Sequence, residues 1–240
     1  MTEDAPHRFR TTRWSLVLDA SGATGTPAAL EELCAAYWYP LYAFARRRGN
    51  AEADAQDLVQ GFFATLIEKD YLGDADRDRG RFRTFLLAAF KHFVSKERAK
   101  AGALKRGGDR TRLTLDFEDG ERRYQLEPED ARTPEAEYER RWALTLLSRA
   151  QERLAASYRG GAAKRRDQFE ALRPLLTGGP TQPYKDLAAQ LGMSETAVKV
   201  AVHRMRQRYK DALRAEIADT VQDPMFIDDE ITRLLTAVRS

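Results

Sequence analysis

Apolar residues recur along this chain at three- and four-residue steps and alternating patterns of the strand kind are scarce, so the expected fold class is all-α. The clearest stripe lies in residues 50–68. Ala55, Leu58, Val59, Phe62, Phe63, Leu66 and Ile67 share one helical face there, with Asn50 as the expected N-cap. Asp54, Asp57, Gly61 and Glu68 fall on the opposite face. Upstream, residues 30–47 predict another amphipathic helix through Leu33, Tyr37, Leu41 and Phe44, which Pro40 should kink or split and Gly49 should end. After a polar loop over 71–80, residues 82–100 predict a helix with Phe85, Leu86, Ala89, Phe90, Phe93 and Val94 inward and a basic outer face.

From 101 to 134 the periodicity dissolves into glycines (Gly102, Gly107, Gly108, Gly120), prolines and acids, which reads as a poorly packed linker and a domain boundary. Periodicity resumes over about 135–158 (Trp142, Leu146, Leu147, Leu154) and 165–176 (Phe169, Leu172), and stops at Gly178-Gly179-Pro180. Residues 181–213 then read as helix, tight turn, helix. Thr181 can cap the first helix and Pro183 suits its first turn, Leu187 and Leu191 face the core, and Ala188 permits a close crossing. Gly192 falls where the turn needs a positive φ, and Ser194 can cap the second helix. Val198, Val202 and Met205 should point inward, leaving Thr196, Lys199, Val200, His203, Arg204 and Arg208 on an outer face able to enter a major groove. A merely solvated surface is the plainer reading of that face.

The chain of 240 residues, 32% charged and with a mean hydropathy of -0.60, has no apolar stretch of the roughly 20 residues that a membrane span requires. The N-terminus lacks the apolar core of a signal peptide, so a cytoplasmic location is expected. One cysteine, Cys34, excludes an internal disulfide framework, and three histidines leave a Cys/His zinc site short of ligands. No metal and no cofactor are expected.

Net charge is only +3, but the charges are sorted along the chain. Residues 77–110 hold 11 Lys/Arg against 3 Asp/Glu, a balance of +8, and residues 196–214 hold 6 against 1, a balance of +5. Between them, residues 116–139 hold 10 acids against 3 arginines. Two basic islands separated by an acidic stretch suggest two units that contact polyanions.

A helix-turn-helix alone does not fix a function. However, Asp54-Ala55-Gln56-Asp57-Leu58-Val59-Gln60-Gly61-Phe62-Phe63 resembles the core-polymerase-binding helix of bacterial RNA polymerase sigma factors, and RFRTFLLAAFKHFVSKERAK, from Arg81, resembles their promoter-melting helix. Together with YKDLAAQLGMSETAVKVAVHRMR, the order and spacing resemble the compact extracytoplasmic-function (ECF) subfamily over roughly residues 30–100 and 135–215. The resemblance implies sigma domain two over 1–100, an acidic linker over 101–134, sigma domain four over 135–217 and a C-terminal extension over 218–240.

It also implies roles. Asp54, Asp57 and Gln60 would dock on core RNA polymerase. Phe82, Arg83, Phe85, Lys91, His92, Ser95 and Lys96 would hold the non-template strand of the minus-ten element, by stacking and phosphate neutralisation. Thr196, Ala197, Lys199, Val200, His203 and Arg204 would read the minus-thirty-five element, and the acidic linker would thread into polymerase channels.

Each role has a structural competitor. Phe90 and Phe93 sit at core spacing, and Asp54 can simply complement its helix's positive end, an effect of about 0.3–1 kcal/mol. The sequence departs from the family pattern at Gly61, where glutamate is usual, and at His92, where asparagine is common. Thr196, Ala197 and Val200 likewise stand for a more usual Gly, Thr and Ser, so promoter sequence does not transfer.

The expected function is promoter recognition and DNA opening by core polymerase, with no catalytic activity of the chain's own; an anti-sigma factor or a regulatory kinase would be further partners, and no membrane is involved. The alternative is a stand-alone helix-turn-helix regulator with an N-terminal sensing or dimerisation domain. A nuclease using Asp54 and Asp57 ranks third, for want of a second acidic cluster to complete a metal site. Thr65 and the acidic tail are candidate control points. The tail carries Ile227, Ile231, Leu234 and Leu235 at helical spacing, and would either fold back on the basic recognition helix or complete the C-terminal core.

Overall fold

The structure, a computed structural model, describes residues 27–68, 82–101, 115–126, 132–159, 163–177, 182–218, 220–221 and 224–239. Among these residues there are ten α-helices, one 3-10 turn and no strand, as the periodicity predicts. They divide into two units, Met1–Leu144 with Ala218–Ser240, and Thr145–Ile217.

In the first unit, α1 (Pro27–Arg47) runs unbroken through Pro40. A proline inside a helix costs about 3 kcal/mol. Tyr37, Leu41, Tyr42 and Phe44 are fully buried on either side of it, and burial of such side chains contributes about 1.5–3 kcal/mol each, which offsets that cost. Gly49, at φ +81°, ends the helix as expected, its N–H donating to the Arg46 carbonyl at 2.9 Å.

Helix α2 (Glu52–Glu68) buries Ala55, Val59, Phe62, Phe63 and Leu66, as its stripe predicts. Gly61 is buried rather than on the polar face. Asn50 does not cap α2. Its Nδ2 donates to the Ala45 carbonyl at 2.6 Å and its Oδ1 accepts from Arg98 at 3.1 Å, so it ties the end of α1 to α3 (Phe82–Ala101). Phe62 meets Phe90 and Phe93 at ring separations of 5.2 and 5.8 Å, and Phe44 meets Phe90 edge-on at 6.0 Å, so Phe44, Phe62 and Phe90 lie in the core with the half-buried Phe93 packed beside them.

The described residues 115–126 of the expected linker are folded rather than poorly packed. Within it, Asp116 caps α4 (Phe117–Gln125) by accepting from the Asp119 N–H. The helix is packed on α1: Phe117 lies 5.3 Å from Trp38 and 5.7 Å from Tyr42, ring to ring. Gly120 lets the backbone approach, since a Cβ there would stand 2.7 Å from Trp38 Cη2. Glu121 is buried, accepting from the Tyr42 hydroxyl, from Arg46 Nε and Nη2 at 3.1 and 2.9 Å, and from Gln125 at 3.0 Å. Burial pushes its carboxyl upward, but the hydrogen bonds from Tyr42, Gln125 and Arg46 outweigh it and hold the group below the usual carboxylate range. Tyr42 is raised well above the usual phenol range, chiefly by burial and then by its bond to Glu121.

The division between the units falls inside α5 (Pro134–Arg159), ten residues later than the expected start of the C-terminal domain at 135. The second unit contains the rest of α5, α6 (Ala163–Leu172), the single turn α7 (Pro174–Thr177), α8 (Tyr184–Leu191) and α9 (Glu195–Ala218). Its core joins Leu154, Tyr158, Phe169, Leu172, Leu187, Ala188, Val198, Val202 and Met205.

The tail forms a 3-10 turn (Pro224–Phe226) and α10 (Ile227–Arg239). It belongs to the first unit, so it does not complete the C-terminal core. Its buried acid, Glu230, pairs with Arg83 of α3. The polar loop over 71–80 and the Thr181 cap lie outside the described residues. Among the described residues no helix is long and apolar enough to cross a membrane.

Candidate nucleic-acid interface

In the second unit, α8 and α9 meet through a tight turn. The α8 N-cap is Pro183, which makes no side-chain cap bond, and its carbonyl accepts from Asp186 and Leu187 instead. Gly192 sits in the left-handed region (φ 60°, ψ 40°), with its N–H directed to the last carbonyls of α8. The Met193 N–H closes the turn onto the Ala188 carbonyl at 3.0 Å, and Ser194 caps α9 by accepting from the Ala197 N–H at 3.2 Å.

This geometry fixes the rotation of α9. Val198, Val202 and Met205 are buried, while Thr196, Lys199, Val200, His203 and Arg204 are exposed and Ala197 is half-buried. All six expected reading residues are therefore brought to one side of one helix, clear of its core stripe. Val200 is 43% exposed, which core packing does not call for.

The α9 face borders a cavity of about 520 Å³ whose other wall is α6 and the end of α5. Tyr158 and Phe169 stack there, with ring centroids 4.6 Å apart and planes 21° from parallel. Arg165 and Arg208 lie over the Tyr158 ring, and Arg208 Nη1 donates to its hydroxyl at 2.9 Å. The sequence reading missed Arg165 and Tyr158 because α6 and α5 converge on α9 only through tertiary packing.

In the first unit, Asp54 and Asp57 are exposed one turn apart on α2, and Gln60 is half-buried on the next. Thr65 Oγ1 donates to the Gly61 carbonyl at 2.7 Å, and the residue is half-buried. Among the described residues, no three His, Cys, Asp or Glu side chains come together as a metal site.

The expected minus-ten residues of α3 divide into three groups. Phe82 and Arg83 depart from the expectation. Phe82 is wholly buried, edge-on to Tyr37 at 5.4 Å, so neither ring face is open to a base. Arg83 is 5% exposed; its guanidinium pairs with Glu230, donates from Nε to Glu139 at 2.7 Å, and lies 4.1 Å from the Trp142 ring centroid. That arginine is committed inside the fold. Phe85 is half-buried, 6.1 Å from Phe82, and Lys91 is paired to Glu135 at 2.6 Å. His92, Ser95 and Lys96 are exposed.

No protein-family model, no curated protein and no solved structure matches this chain.

Proposed function

We propose that the chain is a sigma factor of the extracytoplasmic-function type, which binds core RNA polymerase, directs it to promoters and assists DNA opening. The observation that carries this reading is the α8–turn–α9 unit. A left-handed Gly192, a Ser194 cap and three buried side chains orient a helix whose exposed face is polar and basic. Such a pair of helices is a helix-turn-helix, and its free face suits a major groove. The exposed Asp54 and Asp57 support a separate docking face on α2 for a basic partner, as the motif resemblance implies.

On this reading the melting surface is narrower than the resemblance implies. His92, Ser95 and Lys96 face the non-template strand, and Lys91 joins them once Glu135 releases it. Phe82 and Arg83 act by holding α3 in place. The test is retardation of promoter-bearing genomic fragments by the purified chain, alone and with core polymerase. A sigma factor selects fragments only with core; selection by the chain alone supports the stand-alone regulator instead.

A further inference from the structure

The cavity beside α9 has a chemistry that reading DNA does not require. Its volume of about 520 Å³ lies within the range of roughly 300–1,000 Å³ occupied by small-molecule sites. Three arginines, Arg165, Arg204 and Arg208, line it, and no acidic residue does. Among the described residues none of the three forms an ion pair with a carboxylate. Unneutralised guanidinium groups around a concave, partly apolar wall concentrate positive potential and attract anions.

The guanidinium groups are also positioned. Tyr158, stacked on Phe169, holds Arg208 by a hydrogen bond and carries Arg165 over its ring. A planar guanidinium offers two things, forked donors for phosphate oxygens and a flat face for an aromatic ring. The floor is apolar, formed by Phe169, Leu172 and Met205, and it is too large for a bare inorganic anion. Gln168, whose Nε2 donates to Met193 Sδ at 3.3 Å, adds a side-chain amide at the rim for a polar ring edge.

We propose that this cavity binds a free nucleoside phosphate, with phosphate oxygens on Arg165, Arg204 and Arg208 and the base against the apolar floor. Thr196, Ala197, Val200 and Arg204 form one wall, so an occupied cavity and a DNA duplex compete for the same helix. That competition rests on the reading of α9 as DNA-facing; the binding itself does not.

The test is fluorescence anisotropy of ATP and GTP carrying a fluorescent ribose label, titrated with the full chain in the absence of DNA and polymerase. The expected result is saturable one-site binding at micromolar protein, displaced by unlabelled nucleotide and not by inorganic tripolyphosphate at equal concentration. The exposed double variant Arg165→Gln/Arg204→Gln should weaken binding roughly tenfold or more through lost charge-assisted bonds. Val200→Trp, which fills the cavity without changing its charge, should weaken it comparably, and circular dichroism checks that both variants fold. The site is overturned by absence of saturation at millimolar nucleotide, by displacement with tripolyphosphate as effective as with nucleotide, or by unchanged affinity in folded Val200→Trp.

Discussion

Arg83, one residue into α3, and Glu230, on the C-terminal helix α10, form an ion pair in the interior of the first unit, with side chains 6% and 0% exposed. The pair makes the tail a part of that unit's fold. A buried charge that loses its partner is costly, commonly about 3–5 kcal/mol, because desolvation is no longer repaid by attraction. Glu139 remains bonded to Arg83, which brings the expected cost of Glu230→Gln toward the lower end, about 3 kcal/mol. Urea unfolding measures this as a lower midpoint at unchanged slope. The double variant Arg83→Met/Glu230→Leu should lose less than the sum of its single variants. Additive losses would show that the two side chains act independently.

The same pair changes what truncation of the tail should do. Removal of residues 221–240 takes away Glu230 and the buried Leu234 and Ile227, so the melting temperature should fall. A tail that only restrained α9 would leave the melting temperature unchanged on removal.

Gly120 distinguishes a docked α4 from a free one by the sign of one substitution. On an isolated helix, Gly→Ala stabilises by about 1 kcal/mol. Here the new methyl would stand 2.7 Å from Cη2 and 2.8 Å from Cζ3 of the Trp38 ring, which packs against Tyr39, Tyr42 and Phe117. Overpacking of this kind costs about 1–3 kcal/mol, so Gly120→Ala should destabilise on balance. Its urea midpoint, compared with wild type, reads the sign directly.

Glu121 gives the fold an acid-sensitive element. Its folded-state carboxyl titrates below the usual carboxylate range, so its contribution is fully present above the unfolded value, about 4.3, and is lost as pH falls through the folded value. The stability difference between wild type and Glu121→Gln should therefore be large at pH 7 and shrink below pH 4. Denaturant unfolding of both proteins across that range measures it. A difference independent of pH would mean that the carboxylate charge is not what Tyr42 and Arg46 recognise.

The turn between α8 and α9 depends on backbone conformation rather than space. A Cβ at Gly192 would meet nothing within 4 Å, yet φ is +60°. Gly192→Ala should cost about 1–2 kcal/mol, and Gly192→Asn distinctly less, since asparagine visits the left-handed region. Thermal unfolding of the two variants ranks them.

Much of this architecture was legible from periodicity. The stripes of α2 and α9 give their buried faces and that of α3 does so in part, through Leu86, Phe90 and Val94, while Gly49 and Gly192 mark turns that require positive φ. What escaped was tertiary. The polar segment around α4 has too little apolar content to predict packing, and its docking uses Phe117, the absence of a Cβ at Gly120, and a buried carboxylate. Asn50 lies at a cap position by spacing, but a carbonyl of α1 and a guanidinium of α3 claim its side chain. The family resemblance puts Phe82 and Arg83 on a DNA-facing surface, whereas Tyr37, Trp142 and Glu230, distant in sequence, enclose them. The exposure of Thr196, Lys199, Val200, His203, Arg204 and Arg208 on α9 was legible because local geometry alone, a cap, a turn and three inward side chains, decides where they point.

The most direct test of the proposed function is titration of the fluorescently labelled chain with purified bacterial core RNA polymerase, beside the variant Asp54→Ala/Asp57→Ala/Gln60→Ala. All three positions lie off the buried stripe of α2, so the variant should fold like wild type. The sigma reading predicts saturable binding by the wild type, weakened roughly tenfold or more in the variant, which is about 1.4 kcal/mol or greater. Absence of binding at low salt by the folded wild type, or equal affinity for the two proteins, would contradict it.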